Sequence, residues 1–199
     1  MKLRILALAA AALTAGQANA LTVAQASSAQ TLNVYVSGAS ALKAAIGGLF
    51  TQNCKPATRH DYINTGAAYS NAAEGTAETI YTCEFNAVND FNLPNQQVAF
   101  HKRDAGGSGQ GVYPVGNNTA IEFLDWSTCS DSTLKCTGTS LRTPDAGASD
   151  VEPSMFAAPA NTPPEFAGAT LDTSGMTVKP LFQTAFGLAV SNALYIKLQ

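Results

Sequence analysis

The sequence predicts an α/β fold, with a mixed sheet flanked by helices and a disulfide-pinned polar insertion. A β-branched and apolar run at 31–36 (TLNVYV) predicts the first strand, and a turn of small residues follows it. Residues 41–50 then predict a helix, because apolar side chains recur at i, i+3, i+4 and i+7. These side chains are Leu42, Ala45, Ile46 and Leu49. Strand, short turn and helix together form the opening of an α/β unit.

The later elements follow from similar patterns. Residues 54–94 are long and polar, with a short predicted strand at 80–85, and we expect them to form the disulfide-pinned insertion. A second clear strand is predicted at 97–102 (QVAFHK), and it ends in a glycine-rich loop. Residues 117–136 predict irregular structure with a hairpin-like loop, and the apolar run 182–190 predicts a buried strand.

The amino terminus has the three parts of a secretory signal. Lys2 and Arg4 precede a short apolar core at 5–13, and residues 18–20 (Ala-Asn-Ala) match the small-x-small cleavage pattern. We therefore expect residues 1–20 to be a cleaved signal peptide and the protein to be periplasmic or secreted. No later run is long and apolar enough to predict a membrane span in the mature chain.

Four cysteines follow the signal, and an even count in an exported chain predicts two disulfides. Of the three possible pairings we favour Cys54–Cys83 and Cys129–Cys136, because each closes a local loop within a polar stretch. A zinc site is the competing interpretation. It would need closer pairs such as CxxC, and His60 has no matching partner.

Three loops of small residues follow strands, at 37–41, 106–111 and 147–150. Glycine and serine at such turns let backbone N–H groups and hydroxyls converge on an oxyanion, and a helix amino terminus adds partial positive charge. In open α/β sheets such loops meet at the carboxyl ends of the strands. The net charge of -3 and the pI near 5.2 show no basic surface that would indicate a nucleic-acid partner.

Asp150 in the third loop allows two interpretations. Its carboxylate can accept a hydrogen bond from a protonated ligand such as hydrogen phosphate, and it would repel a fully ionised anion. Alternatively, Asp150 caps the turn that follows at 151–156. Both interpretations remain open from the sequence.

In these loops the chain resembles type II periplasmic solute-binding proteins, especially the phosphate-binding components of ABC importers. VSGASA at 36–41 is similar to the family's first loop, GGSGQG from Gly106 to its second, and AGASDVEP from Ala146 to its third. FGLAVSN at 186–192 is similar to the strand that leads into the second lobe. One departure is Leu42, which stands where the family has a threonine.

The resemblance implies capture of a small oxyanion without catalysis, with no cofactor and with an ABC importer complex as partner. It implies a first lobe at 31–192 and the start of a hinge or second lobe at 193–199. The small, polar segment 21–30 itself predicts a flexible lead-in, and residues 192–199, with neither a helix stop signal nor a polar tail, predict a truncated chain. The resemblance also implies that the ligand meets the three loops, with Ser40, Ser108 and Asp150 in the leading roles. The ligand-binding residues so implied are Gly38, Ala39, Ser40, Ala41, Gly107, Ser108, Gly109, Ser149 and Asp150.

Two other functions are compatible with the sequence. The first is a secreted structural or surface-interaction protein that keeps this scaffold without the solute site, which the long polar segment and low charge favour. The second is a secreted hydrolase that uses Ser108 as nucleophile. It lacks the expected motif, because G-x-S-x-G would need a glycine where Gln110 stands.

Overall fold

The computed structural model describes residues 20–69, 72–156 and 162–180. Residues 1–19 of the predicted signal peptide lie outside the described residues. So do the predicted strand at 182–190, the FGLAVSN segment and the predicted hinge at 193–199.

The described residues contain three α-helices and nine strands. The α-helices are α1 (Val23–Ala26), α2 (Lys43–Asn53) and α3 (Gly107–Gly116). The strands are β1 (Leu32–Ser37), β2 (His60–Asn64), β3 (Glu78–Glu84), β4 (Gln97–Arg103), β5 (Ile121–Leu124), β6 (Cys129–Ser130), β7 (Lys135–Cys136), β8 (Thr139–Arg142) and β9 (Ala146–Gly147). Short 3-10 helices occupy Ser40–Leu42, Pro56–Thr58, Trp126–Thr128, Pro153–Phe156 and Pro164–Phe166. No helix among these residues is long and apolar enough to cross a membrane.

Seven strands form one mixed sheet in the order β6-β7-β2-β3-β4-β1-β9, and β5 and β8 form a separate two-stranded ribbon. β1 runs parallel to β4 on one side and to β9 on the other. β3 is antiparallel to both of its neighbours, β2 and β4. The mixed sheet flanked by helices that the sequence predicts is therefore present at the level of α/β architecture.

The polar segment 54–94 differs from the expected insertion. It contributes β2 and β3 to the interior of the main sheet, and β3 is hydrogen-bonded along its whole length to β4. The side chains of Ile80 and Tyr81 project to opposite faces of the sheet, and both are buried. This part of the chain is therefore central to the fold, and the predicted strand at 80–85 is part of β3.

Opposite faces of β3 pack against different partners. On one face, Ile80 joins a cluster with Tyr62 and Leu124. On the other face, Tyr81 joins a cluster with Phe50 from α2. The buried face of α2 is shifted from the predicted one: Ile46 and Phe50 are buried, whereas Ala45 is exposed.

The segment 21–30 also differs from the expected flexible lead-in. It contains α1, which begins at a capping box in which the Thr22 side chain accepts a hydrogen bond from the Gln25 N–H. Leu21 and Ala26 are buried, and the Leu21 carbonyl accepts a hydrogen bond of 3.0 Å from the Tyr62 hydroxyl. These contacts dock the segment onto the sheet.

Both disulfides have the favoured pairing, Cys54–Cys83 and Cys129–Cys136. The first links the end of α2 to β3, and both of its sulfur-bearing residues are buried in the cluster around Phe50. The second joins β6 to β7 within a short hairpin. The hairpin-like loop predicted within 117–136 is therefore present, and β5 makes the rest of this segment more regular than predicted.

Candidate functional site

The three small-residue loops converge at one edge of the main sheet. β1 lies between β4 and β9 and is parallel to both, so the carboxyl ends of the three strands lie side by side. Ser37, the last residue of β1, pairs with Arg103 on one side and with Gly147 on the other. The structure thus brings together the loops that the sequence analysis singled out.

The loops touch through their backbones. A Cβ atom on Gly38 would lie 2.3 Å from the carbonyl oxygen of Ala148 and 2.4 Å from the Cα of Gly111. A Cβ atom on Gly111 would lie 2.1 Å from that same carbonyl oxygen. Gly38 also has a φ of 95°, which glycine adopts readily. Only residues without a side chain permit this approach, so the glycines at both positions are required for the three loops to meet.

Ser108 and Asp150 join the second loop to the third. The Ser108 hydroxyl donates a hydrogen bond to the carboxylate oxygen Oδ1 of Asp150. The backbone N–H of Asp150 in turn donates to the Ser108 Oγ at 3.3 Å. The Asp150 carboxylate therefore accepts a hydrogen bond from the second loop, a contact that neither interpretation from the sequence predicted.

Two helices begin at this edge. The 3-10 turn Ser40–Leu42 leads directly into α2, and α3 begins at Gly107 after Gly106, which has a φ of 84°. The first N–H groups of a helix have no partner within the helix. Ser40 and Ala41 are exposed, whereas Ala39 is buried.

The predicted residues are not equally accessible. Gly107 faces open space, but Gly109 is buried, and a Cβ atom on it would lie 2.2 Å from the Pro163 ring. The Ser149 hydroxyl donates to the carbonyl oxygen of Val151 and accepts from the Val151 N–H at 3.1 Å. Ser149 therefore stabilises its own turn, and Gly109 lies beneath the segment that begins at residue 162.

A buried cation lies directly under the first loop. The Lys102 side chain is fully buried, and its ammonium donates to the carbonyl oxygen of Gly38, to the carbonyl oxygen of Arg103 at 3.1 Å and to the Asp104 carboxylate at 2.7 Å. Burial lowers the pKa of Lys102, and the charge of Asp104 opposes that shift. The sequence analysis missed this residue; the charged sequence Lys-Arg-Asp at the end of an apolar strand was the available signal.

Arg103 is not the solvated charge that its position at a strand end suggests. It is 9% exposed, and its guanidinium donates to the Ala105 carbonyl oxygen at 3.2 Å and to the Gln110 Oε1 at 3.0 Å. It also lies over the Tyr69 ring. Arg103 therefore connects β4 to α3 and holds the second loop in place.

The two histidines of the chain lie away from Ser108. The His60 Nδ1 is 3.3 Å from the Leu21 carbonyl oxygen, and the His101 Nε2 is 3.1 Å from the Asn33 Oδ1. Ser108 therefore has no histidine base in this structure. Within the described parts of the chain, no group of His, Cys, Asp and Glu side chains is arranged to hold a metal ion.

Comparisons of this chain with protein-family models, with curated proteins and with solved structures found no match.

Proposed function

We propose that this protein is an exported solute-binding module that captures a small oxyanion such as phosphate, without catalysis. The observation that carries the proposal is the contact between Ser108 and Asp150 at the edge where three parallel strands end. A hydroxyl donor, a carboxylate acceptor and unpaired helix N–H groups provide the set of partners that a hydrogen phosphate ion needs. The two disulfides are typical of proteins in oxidising compartments outside the cytoplasm.

The ligand would replace the direct contact between the two side chains. One phosphate oxygen would accept from the Ser108 hydroxyl and from the N–H groups around Gly107, while the phosphate proton would be donated to Asp150. Ser40 and Ala41 would supply further donors from the first loop. An ABC importer complex would then receive the captured anion, as expected for proteins that carry solutes to such importers.

Calorimetry on the full-length protein tests this proposal. We expect phosphate to release saturable heat and both Ser108→Ala and Asp150→Asn to weaken its binding at least about tenfold, equivalent to about 1.4 kcal/mol. Asp172→Asn is the matched control, because this exposed carboxylate caps a distant turn through Ser174 and should leave the affinity unchanged. Absence of heat with phosphate would overturn the proposal.

Sulfate is the second ligand in the same experiment. It carries no proton near neutral pH, so it cannot donate to Asp150 and we expect it to bind more weakly than phosphate. Equal affinities for the two anions would contradict the role given to Asp150, even if both anions bind.

The alternative is a secreted structural or surface-interaction protein that keeps the scaffold without a solute site. The position of Pro163 favours it, because its ring covers Gly109 and closes part of the α3 amino terminus. A protein that binds none of phosphate, sulfate or arsenate in the calorimeter would support this alternative.

A further inference from the structure

A cavity lies away from the three loops. It is open to solvent, has a volume of about 450 Å³ and is lined by α1, β1, the β5–β8 ribbon and the 3-10 turn Trp126–Thr128. None of its lining residues belongs to the loops at 37–41, 106–111 or 147–150. The volume is within the range of small-molecule sites, about 300–1,000 Å³.

The register of the β5–β8 ribbon determines which side chains face this cavity. Phe123 pairs with Ser140, so Phe123 and Ser140 share one face of the ribbon with Arg142, two residues further along β8. The Phe123 ring meets the Tyr35 ring of β1 edge-on, with centroids 5.1 Å apart. This face of the ribbon is therefore the one turned toward β1, and Ser140 and Arg142 line the cavity.

The aromatic walls of the cavity are held in place by a partly buried hydrogen-bond network. The Asn33 Oδ1 is 3.1 Å from the Trp126 Nε1 and 3.1 Å from the His101 Nε2. The Asn33 amide nitrogen donates to the Ala26 and Thr31 carbonyl oxygens, which fixes its orientation. The Tyr35 ring stacks on the His101 ring at 4.2 Å. Tyr35 and Trp126 thus form a preorganised surface, which reduces the entropy lost on binding.

Three polar side-chain groups that line the cavity have no partner among the described residues. Across the described parts of the chain, no hydrogen bond or ion pair involves the Arg142 guanidinium, the Tyr35 hydroxyl or the Ser140 hydroxyl. The Arg142 charge lies close enough to Tyr35 to oppose the increase that burial causes in the pKa of the Tyr35 phenol. One cation and two hydroxyls therefore accompany a flat aromatic surface.

We propose that this cavity binds a small monocarboxylate whose flat apolar body rests against Tyr35 and Trp126, with its carboxylate on Arg142. The planar guanidinium matches a carboxylate through two parallel hydrogen bonds. Asp125 lines the same cavity, and Asp145 accepts the Tyr35 N–H at 2.8 Å. These two carboxylates repel any anion, but the repulsion grows with the charge of the ligand, so it opposes a singly charged carboxylate less than a multiply charged phosphate.

The chain contains a single tryptophan, Trp126, so its fluorescence reports directly on this cavity. Phenylacetate is the probe, benzyl alcohol lacks its carboxylate, and acetate lacks its ring. We expect a saturable change in Trp126 fluorescence with phenylacetate. The affinities for the other two compounds should be at least about tenfold weaker. No saturable change up to about 10 mM phenylacetate would overturn the proposal. An equal response to benzyl alcohol would also overturn it.

Variants locate the site. Arg142→Gln should weaken phenylacetate binding at least about tenfold. Arg59→Gln removes the same charge from an arginine paired with Asp61, and it should leave the affinity unchanged. Arg142 is exposed, so its replacement is compatible with folding, which circular dichroism checks. Unaltered binding in Arg142→Gln would contradict the proposal, as would binding that is lost in Asp150→Asn.

Discussion

The ammonium of Lys102 lies 2.7 Å from the Oδ1 of Asp104, and neither side chain is more than 1% exposed. Lys43 approaches the other carboxylate oxygen at 3.4 Å. Because Lys102 also donates to the Gly38 carbonyl oxygen, this buried pair connects the end of β4 to the first loop. A shift of the first loop would therefore disturb the contacts of the buried Lys102–Asp104 ion pair.

Replacement of Lys102 by methionine should destabilise the protein by about 3–5 kcal/mol, because the buried Asp104 carboxylate would keep only Lys43, at 3.4 Å, as a charged partner. Urea unfolding followed by circular dichroism measures the change. Lys135→Met is the matched control: Lys135 pairs with Glu74 on the surface at 2.8 Å, and its loss should cost less than about 1 kcal/mol. Equal effects of the two substitutions would contradict the structural role of Lys102.

Gly111→Ala should cost about 1–3 kcal/mol, because the new methyl group would overlap the Ala148 carbonyl oxygen. It should also weaken the proposed phosphate binding, since the second and third loops must separate. Gly48→Ala provides the control. Gly48 lies within α2 with no neighbouring atom within 4 Å, so alanine there should stabilise the helix by about 0.5–1 kcal/mol. Chemical unfolding measures the stability of both variants. A Gly111→Ala variant as stable as the unaltered protein would contradict the expectation.

The two disulfides should contribute unequally. Cys54 and Cys83 are 29 residues apart, whereas Cys129 and Cys136 are 7 apart. Loop-closure entropy gives about 3.5 kcal/mol for the first and about 2.5 kcal/mol for the second. Unfolding of the two double-serine variants under oxidising conditions would show the order. A larger loss from the Cys129–Cys136 variant would mean that packing in the hairpin outweighs the entropy of the unfolded chain.

Alkaline pH should unfold the protein above about pH 10. Burial is the main cause that raises the pKa of four tyrosines, Tyr35, Tyr62, Tyr69 and Tyr81. Their phenols ionise near the ordinary pKa of 10.0 only in the unfolded state, so the folded state binds more protons there and stability falls as pH rises.

Lys102 acts in the opposite direction. Its pKa is lowered, so between that lowered pKa and 10.5 the unfolded state binds more protons and stability rises with pH. Four phenols outweigh this one amine once the pH passes 10. Tyrosinate absorbance and circular dichroism should therefore change together. Full tyrosinate absorbance near pH 10 with a native circular dichroism spectrum would contradict the expectation.

The sequence was sufficient to predict the most apolar strands and the meeting of the three loops. The predicted runs at 31–36, 80–85 and 97–102 correspond to β1, β3 and β4, because β-branched and aromatic residues favour strands. The loops meet because the parallel strands β1, β4 and β9 end at the same edge. Each of these predictions depends on a local pattern combined with a general rule of α/β topology.

Other elements depend on tertiary contacts and were not predictable. The strand β2 (His60–Asn64) is mostly polar, and its Asn64 is buried because the side-chain oxygen accepts the Ala77 and Glu78 N–H groups. The helix α3 contains Pro114 and several glycines, so its formation depends on packing rather than on helix propensity. Buried charges such as Lys102 and the cavity beside Trp126 result from contacts between distant segments.

The position of β1 between β4 and β9 has a consequence for the order in which the sheet can form. Val36 pairs with Lys102 on one side and with Ala146 on the other. β1 comes early in the chain, so it lacks its second neighbour until residues 146–147 can pair with it. Contacts of such long sequence separation form slowly. The sheet around β1 is therefore complete only after these distant segments have come together.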